Sequence, residues 1–232
     1  NNVTGNNSVI VGGALGTVAG ACSFVGSGYL NQSPGANAGV VAGCGNRSCG
    51  ACSFVGGGQG NCTKTGTFTT IAGGNANCIE GTNPNYSFIG GGQTNSICSA
   101  VHASILGGHQ LSATGACSTA VGGKYSHASG KLSTVTGGFS GRAEGDYSFV
   151  GGGFCNLASG LSSFVGGGYT NVASGVASVA GGGRENTASG ACSVVGGGNS
   201  NTSSANWATV AGGRSNIASG LSAFIGGGMR NL

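Results

Sequence analysis

Charge is what this 232-residue chain has least of: eight Lys and Arg with four Asp and Glu make 5% of it, against about 25% in an ordinary soluble domain. The cations form no cluster, and a net charge of +4 over this length offers no basic stripe for a nucleic acid to follow. Asp146 is the only Asp, Glu80, Glu144 and Glu185 stand singly, and His102, His109 and His127 have no metal-ligand spacing. Acid–base catalysis needs titratable groups that converge, so the expectation is a non-enzyme with no catalytic residue, metal or cofactor. The missing aspartates exclude the calcium-binding Gly-Gly-x-Gly-x-Asp roll. Lys124 follows a Gly pair but precedes Tyr125, so it belongs to no phosphate loop. Proline occurs only twice and Gly does not recur every third residue, which excludes a collagen triple helix. No apolar run is long enough for a membrane-spanning helix, and no membrane insertion is expected.

What is abundant is Gly, 54 residues of it, and it recurs in a pattern. Residues 156–232 repeat every 15 residues, restarting at Asn156, Asn171, Asn186, Asn201 and Asn216 with the form Asn-x-Ala-Ser-Gly, two variable residues, Ser-x-Val-x-Gly-Gly. The frame extends backwards through starts at Asn1, Gly16, Asn31, Asn46, Asn61, Asn77, Asn95, Leu111, Ser126 and Gly141. Units are regular over 1–60 and 111–232, and those within 61–110 carry insertions, with lengths of 16, 18 and 16. A short fixed period rich in Gly and β-branched residues marks a β-solenoid, one unit per coil. The whole chain, 1–232, reads as a single array of fifteen coils and is expected to be a piece of a longer fibre.

Position within the coil assigns the strands. Position 10 is aliphatic or Ala, as in Ile10, Val25, Val55, Val150, Val165, Val195, Val210 and Ile225, and position 9 is often Phe, Val or Thr. Side chains alternate along a strand, so positions 8 and 10 share one face and 9 and 11 the other. Both carry apolar residues, which predicts a core and interface strand buried on two sides. All twelve charges fall outside positions 7–13, as desolvation requires. A second short strand is expected through Asn-x-Ala-Ser, and Gly at positions 5, 12 and 13 is expected to supply the positive φ values of the turns.

A roll of Val facing Ala is thin, and its second apolar face needs a cover. Side-by-side packing of identical chains about a symmetry axis supplies one. Stacked at about 4.8 Å per coil, the array is expected to extend about 70 Å. The Asn at position 1 of eleven coils reads equally as a ladder of bonded amides or as a residue tolerant of left-handed turns.

Ten cysteines are compatible with an oxidising exterior. Cys22, Cys52, Cys117 and Cys192 share position 7 but never in neighbouring coils, and are expected to be buried thiols filling a turn corner. Cys62 and Cys78 share position 2 of adjacent coils, within reach of a disulfide. Cys49-Gly-Ala-Cys52, with Cys44 nearby, is formally a C-x-x-C but lacks the βαβ context of a redox site and a second ligand pair for zinc. Asn-x-Ser/Thr triplets begin at Asn2, Asn6, Asn31, Asn46, Asn61, Asn85 and Asn201. The largest insertion, around Thr82, Asn83, Pro84 and Asn85, is the candidate surface-binding loop, because extra residues in a solenoid emerge on its surface.

Repeats such as Ala-Ser-Gly-Ala-Cys-Ser-Val-Val-Gly-Gly at 188–197 resemble the head repeats of trimeric autotransporter adhesins of the YadA type, and are also similar to repeats of phage and viral tail fibres. The resemblance covers the whole chain, most clearly from Ser126 onward. It implies a left-handed parallel β-roll, packed as a parallel homotrimer, that presents an adhesive surface. The chain departs from that pattern in its Gly triplets and its many cysteines, and it shows no stalk heptads. Three functional readings follow. The first is a structural and adhesive fibre at a cell surface, attached to a receptor, glycan or matrix protein. The second is the receptor-binding fibre of a phage or virus, displayed on the virion. The third is an ice- or crystal-binding solenoid, for which Thr70, Thr119, Thr134 and Thr209 are too interrupted a row.

Overall fold

The structure, a computed structural model, describes all 232 residues, Asn1–Leu232. It contains no helix, and each coil contributes two short strands to a parallel β-solenoid of fifteen coils. The chain divides into two compact units, Asn1–Cys117 and Ser118–Leu232. In the first, the first strands of successive coils run from Asn2–Val3 to Ser112–Ala113 and the second strands from Val9–Ile10 to Ser104–Ile105. In the second, the corresponding strands run from His127–Ala128 to Ile217–Ala218 and from Thr119–Ala120 to Phe224–Ile225.

Register advances by one coil at every pairing: Thr17 lies against Gln32, and Phe149 against Phe164. The long coils keep it too, since Thr70 pairs with Phe88 and Cys78 with Ser96. Position 14 forms a third bridged row, as in Phe154 against Tyr169.

The core is as thin as the composition implies. In the second unit Ala128, Ala143, Ala158 and Ala173 from the first strands face Val135, Val150, Val165 and Ala180 from the second. The irregular coils are filled differently, with Ile71, Ile79, Ile89, Ile97 and Ile105 fully buried. A longer circuit encloses more volume, and at interior packing density larger side chains must fill it. Insertion therefore changes the inside of a coil as well as its surface.

Position 1 also points inward. Asn171 donates through Nδ2 to the Gly167 carbonyl of its own chain turn (2.8 Å) and to the Gly183 carbonyl of the next coil (2.9 Å). Its Oδ1 accepts the Asn186 N–H at 3.0 Å. The pattern recurs from Asn31 to Asn95 and from Asn156 to Asn216. These residues form a ladder, though one whose amides bond mainly to backbone, and none of them is a turn residue.

The turns correct one expectation. Position 13 is Gly in every coil with φ between 83° and 130°, but positions 7 and 15 are also left-handed and mostly not Gly, for example Tyr147 (φ 59°), Ser162 (55°) and Glu185 (56°). Position 5 needs Gly for closeness instead: a methyl at Gly160 would sit 2.0 Å from the Gly175 carbonyl oxygen.

Candidate functional site

No single cluster dominates the surface; three features of the outward faces stand apart. The first is the outer face of the second strands, positions 9 and 11. The position-10 residues of the expected core and interface strand point into the core: Val25, Val55, Val150, Val165, Val195 and Val210 are at most 1% exposed, with Ile10 and Ile225 partly buried. The outward apolar side chains of these strands are at position 9, where Phe54, Phe88 and Phe164 keep 38–39% of their surface, beside Val41 and Leu106 at position 11 of the first unit. Phe149 and Phe164 stack 5.3 Å apart. No charged residue occurs at either position in either unit.

The second feature is a cleft of about 370 Å³ in the second unit, lined by Tyr125, His127, Ser129, Ser140, Arg142 and Glu144. The fold assembles it from equivalent positions of neighbouring coils, since His127 pairs in register with Arg142. Arg142 and Glu144, two residues apart on one strand face, form an ion pair. Tyr125 meets Phe139 edge to face, and the Lys124 ammonium lies 4.7 Å from the Tyr125 ring centre. Phe139, Phe154 and Tyr169 then stack along position 14 at 5.2 and 4.9 Å. The cleft lies where the Asn ladder is replaced by Ser126 and Gly141, with the Ser126 Oγ accepting the Gly141 N–H. Spacing alone did not single these residues out, but the density of charge in these coils was visible: Lys124, Lys131, Arg142, Glu144 and Asp146 fall within 23 residues of one another.

The third is a row of thiols in the first unit. Cys62 and Cys78 are direct register partners, and Arg47 precedes Cys62 in the same column. Cys49 stands two residues beyond Arg47 on the preceding coil, diagonal to Cys62. All ten cysteines are free thiols. The bond from Cys62 lowers the Cys49 thiol to about 7, with Arg47 assisting against desolvation. Cys78 is lowered by the same donor, and Cys62, which holds the shared proton, is raised. Lys64 and Glu80 form an exposed pair beside the row at 2.5 Å.

Other sequence expectations are redistributed. In the loop, Thr82 and Asn83 are exposed, but Pro84 is buried. Asn85 is engaged through its Oδ1, which accepts the Thr67 N–H at 2.7 Å. The position-7 cysteines are not buried corner fillers: Cys22 and Cys192 are exposed and Cys52 and Cys117 half-exposed, all at left-handed turn residues whose side chains project outward. The same position carries the exposed stack Phe68–Tyr86–His102, with ring centres 5.3 and 4.9 Å apart. Of the glycosylation triplets, Asn31, Asn46, Asn61 and Asn201 are buried ladder residues and closed to modification in the folded coil, whereas Asn2 and Asn6 are exposed.

The chain matches no protein-family model and no curated protein. Fold and surface chemistry carry the functional reading.

Proposed function

We propose that the chain is a structural, non-enzymatic fibre segment that assembles with copies of itself, as a parallel homotrimer, and presents an outer surface for attachment. The observation that carries this reading is the charge-free outer face of the second strands. It bears an aromatic or β-branched residue in nearly every coil, and its period is that of the coils themselves. A partner that meets such a face along its length must share that period, and an identical chain does so automatically. The other outward face, that of the first strands, carries Arg47, His127 and Arg142 and suits water.

The resemblance to adhesin head repeats supports the same reading and adds an extracellular, cell-surface setting. Repetition of weak contacts along three chains would give attachment by avidity. In this reading the receptor contact, to a glycan or protein, lies at the Tyr125–Arg142 cleft, where a half-buried aromatic ring and a charged pair are brought together. A tail-fibre role on a virion shares every structural element and differs in where the protein is displayed. Sedimentation equilibrium of the purified chain tests the assembly: a species of three times 21.8 kDa is expected, and a monomer at micromolar concentration would rule the reading out.

A further inference from the structure

Coil-on-coil register turns the cleft of the second unit into a small grid. Tyr125, His127 and Ser129 come from one coil, and Ser140, Arg142 and Glu144 from the next. His127 lies directly against Arg142, about 4.8 Å across the sheet, and Ser129 and Glu144 follow about 6.6 Å along the chain. The lining has one aromatic wall, Tyr125, and five polar side chains. A protein epitope takes about 800 Å² on each side and a buried apolar anchor; a slot of about 370 Å³ with this lining offers neither. It stands instead at the small end of the range for small-molecule sites, about 300–1,000 Å³. Groups that bond hydroxyls in two directions, beside a single ring that covers an apolar face, are complementary to a sugar.

Charge narrows the class. Between residues 124 and 146 the cations Lys124, Lys131 and Arg142 face the anions Glu144 and Asp146, three against two, an excess of one positive charge with His127 neutral. Asp146 is turned to the backbone, its Oδ1 accepting the Lys131 N–H at 2.8 Å. Glu144 engages Arg142 through Nη2, and a guanidinium has five N–H donors, so the fork keeps donors for a second carboxylate. The next residue along the Arg142 row is Leu157, so no cation extends the grid in that direction. One net positive charge suits one carboxylate, whereas a densely sulfated chain would bring anions that Glu144 and Asp146 repel.

We propose that the cleft binds an acidic saccharide, a sugar carrying a single carboxylate. Arg142 holds the carboxylate, Ser129, Ser140 and Glu144 take hydroxyl groups, and Tyr125 packs on the apolar face of the ring. This rests on the reading of the cleft as the receptor contact and gives that contact its ligand class. In a trimer, three copies of the cleft convert a weak single-site affinity into firm attachment.

The test is biolayer interferometry of the 232-residue chain on immobilised polymers bearing β-glucuronide, N-acetylneuraminate, β-glucoside or heparin. At least one of the two carboxylate sugars is expected to bind about 10-fold or more tightly than the glucoside, as a charge-assisted hydrogen-bond pair requires. Which of the two binds identifies the source of the carboxylate. Heparin is expected to bind no better than the glucoside. Arg142→Gln should bring the acidic sugar down to the glucoside level with the β-sheet circular dichroism unchanged, and Glu144→Gln should raise the heparin response. Lys64→Gln, in the first unit, should change nothing. Equal binding of glucoside and both acids, or a preference for heparin, would overturn the ligand class. Immobilised peptides run beside the polymers separate that class from the reading beneath it. Peptide capture that is lost in Arg142→Gln, with no saccharide bound, overturns the saccharide and keeps the cleft as the contact. Acid-sugar binding that a folded Arg142→Gln chain retains, or no binding of either kind, overturns both. The comparison among polymers uses the unsubstituted chain, so a variant that fails to fold does not decide the outcome.

Discussion

At the residue scale the coil is held to its path by Gly at position 13 and by what the buried polar side chains bond. Gly168 has φ +90°, and a methyl there would lie 2.1 Å from the Gly183 carbonyl oxygen, so strain and collision act together. Gly168→Ala is expected to cost about 3 kcal/mol or more, read as a fall in denaturant midpoint. Serine at position 8 behaves in the opposite sense. The hydroxyls of Ser133, Ser148, Ser163, Ser178 and Ser193 are buried with no hydrogen-bond partner, and Ala already occupies this position at Ala38, Ala103 and Ala208. An unpartnered buried hydroxyl is a net cost, so Ser163→Ala should stabilise the fold by about 1 kcal/mol; a lower midpoint would show that the hydroxyl finds a partner in solution.

At the scale of one coil on the next, the Asn ladder is the strongest side-chain link. Asn186→Ala orphans the Gly182 carbonyl and the Asn201 N–H and leaves the Gly198 carbonyl with only the Arg184 N–H, all three groups being bonded to Asn186 at 2.8–2.9 Å. The expected cost is about 2–4 kcal/mol in thermal or chemical unfolding. Asn186→Asp should be worse, because it sets a carboxylate against two carbonyls in place of a donor. Strand positions and the inward set at position 10 could be read directly from periodicity, since only residues that return to the same place every 15 residues leave a periodic trace. The bonding of Asn could not be assigned, because an amide suits a turn and a ladder equally well until neighbouring carbonyls are placed. The left-handed residues at positions 7 and 15 were hidden for another reason: Tyr147, Leu132 and Trp207 adopt φ near +57° against their own preference, held there by coil-to-coil backbone bonds such as Tyr147 N–H to Lys131 C=O at 2.8 Å. The cleft leaves no periodic trace because the residue types at its positions change from coil to coil, and the thiol row was only half visible, since Cys49 lies diagonal to Cys62 at position 4.

At the scale of the whole molecule the reading rests on an outer face without charge. Placing an Arg on it tests that reading without touching the core. Phe164→Arg should lower the sedimenting mass toward that of a monomer while leaving the β-sheet circular dichroism unchanged, because an unpaired guanidinium would be desolvated at every contact with a neighbour. Leu157→Arg, on the face where Arg142 already sits in register with it, should leave the assembly intact. If both substitutions behave alike, the two faces are equivalent and the proposed interface is misplaced. A surface that recurs with every coil has a further consequence. Two such chains, slid past one another by one coil, meet almost the same side chains again, so the regular coils cannot fix their own alignment. Only exceptions break that degeneracy: the flat spot at Gly39, where the Phe24 ring lies across the strand, and the knobs at Val11, Val41, Leu106 and Val121. In a trimer packed along this face, imperfections in the repeat would act as the notches of a key, and smoothing them toward the consensus should yield chains that still associate but no longer end flush.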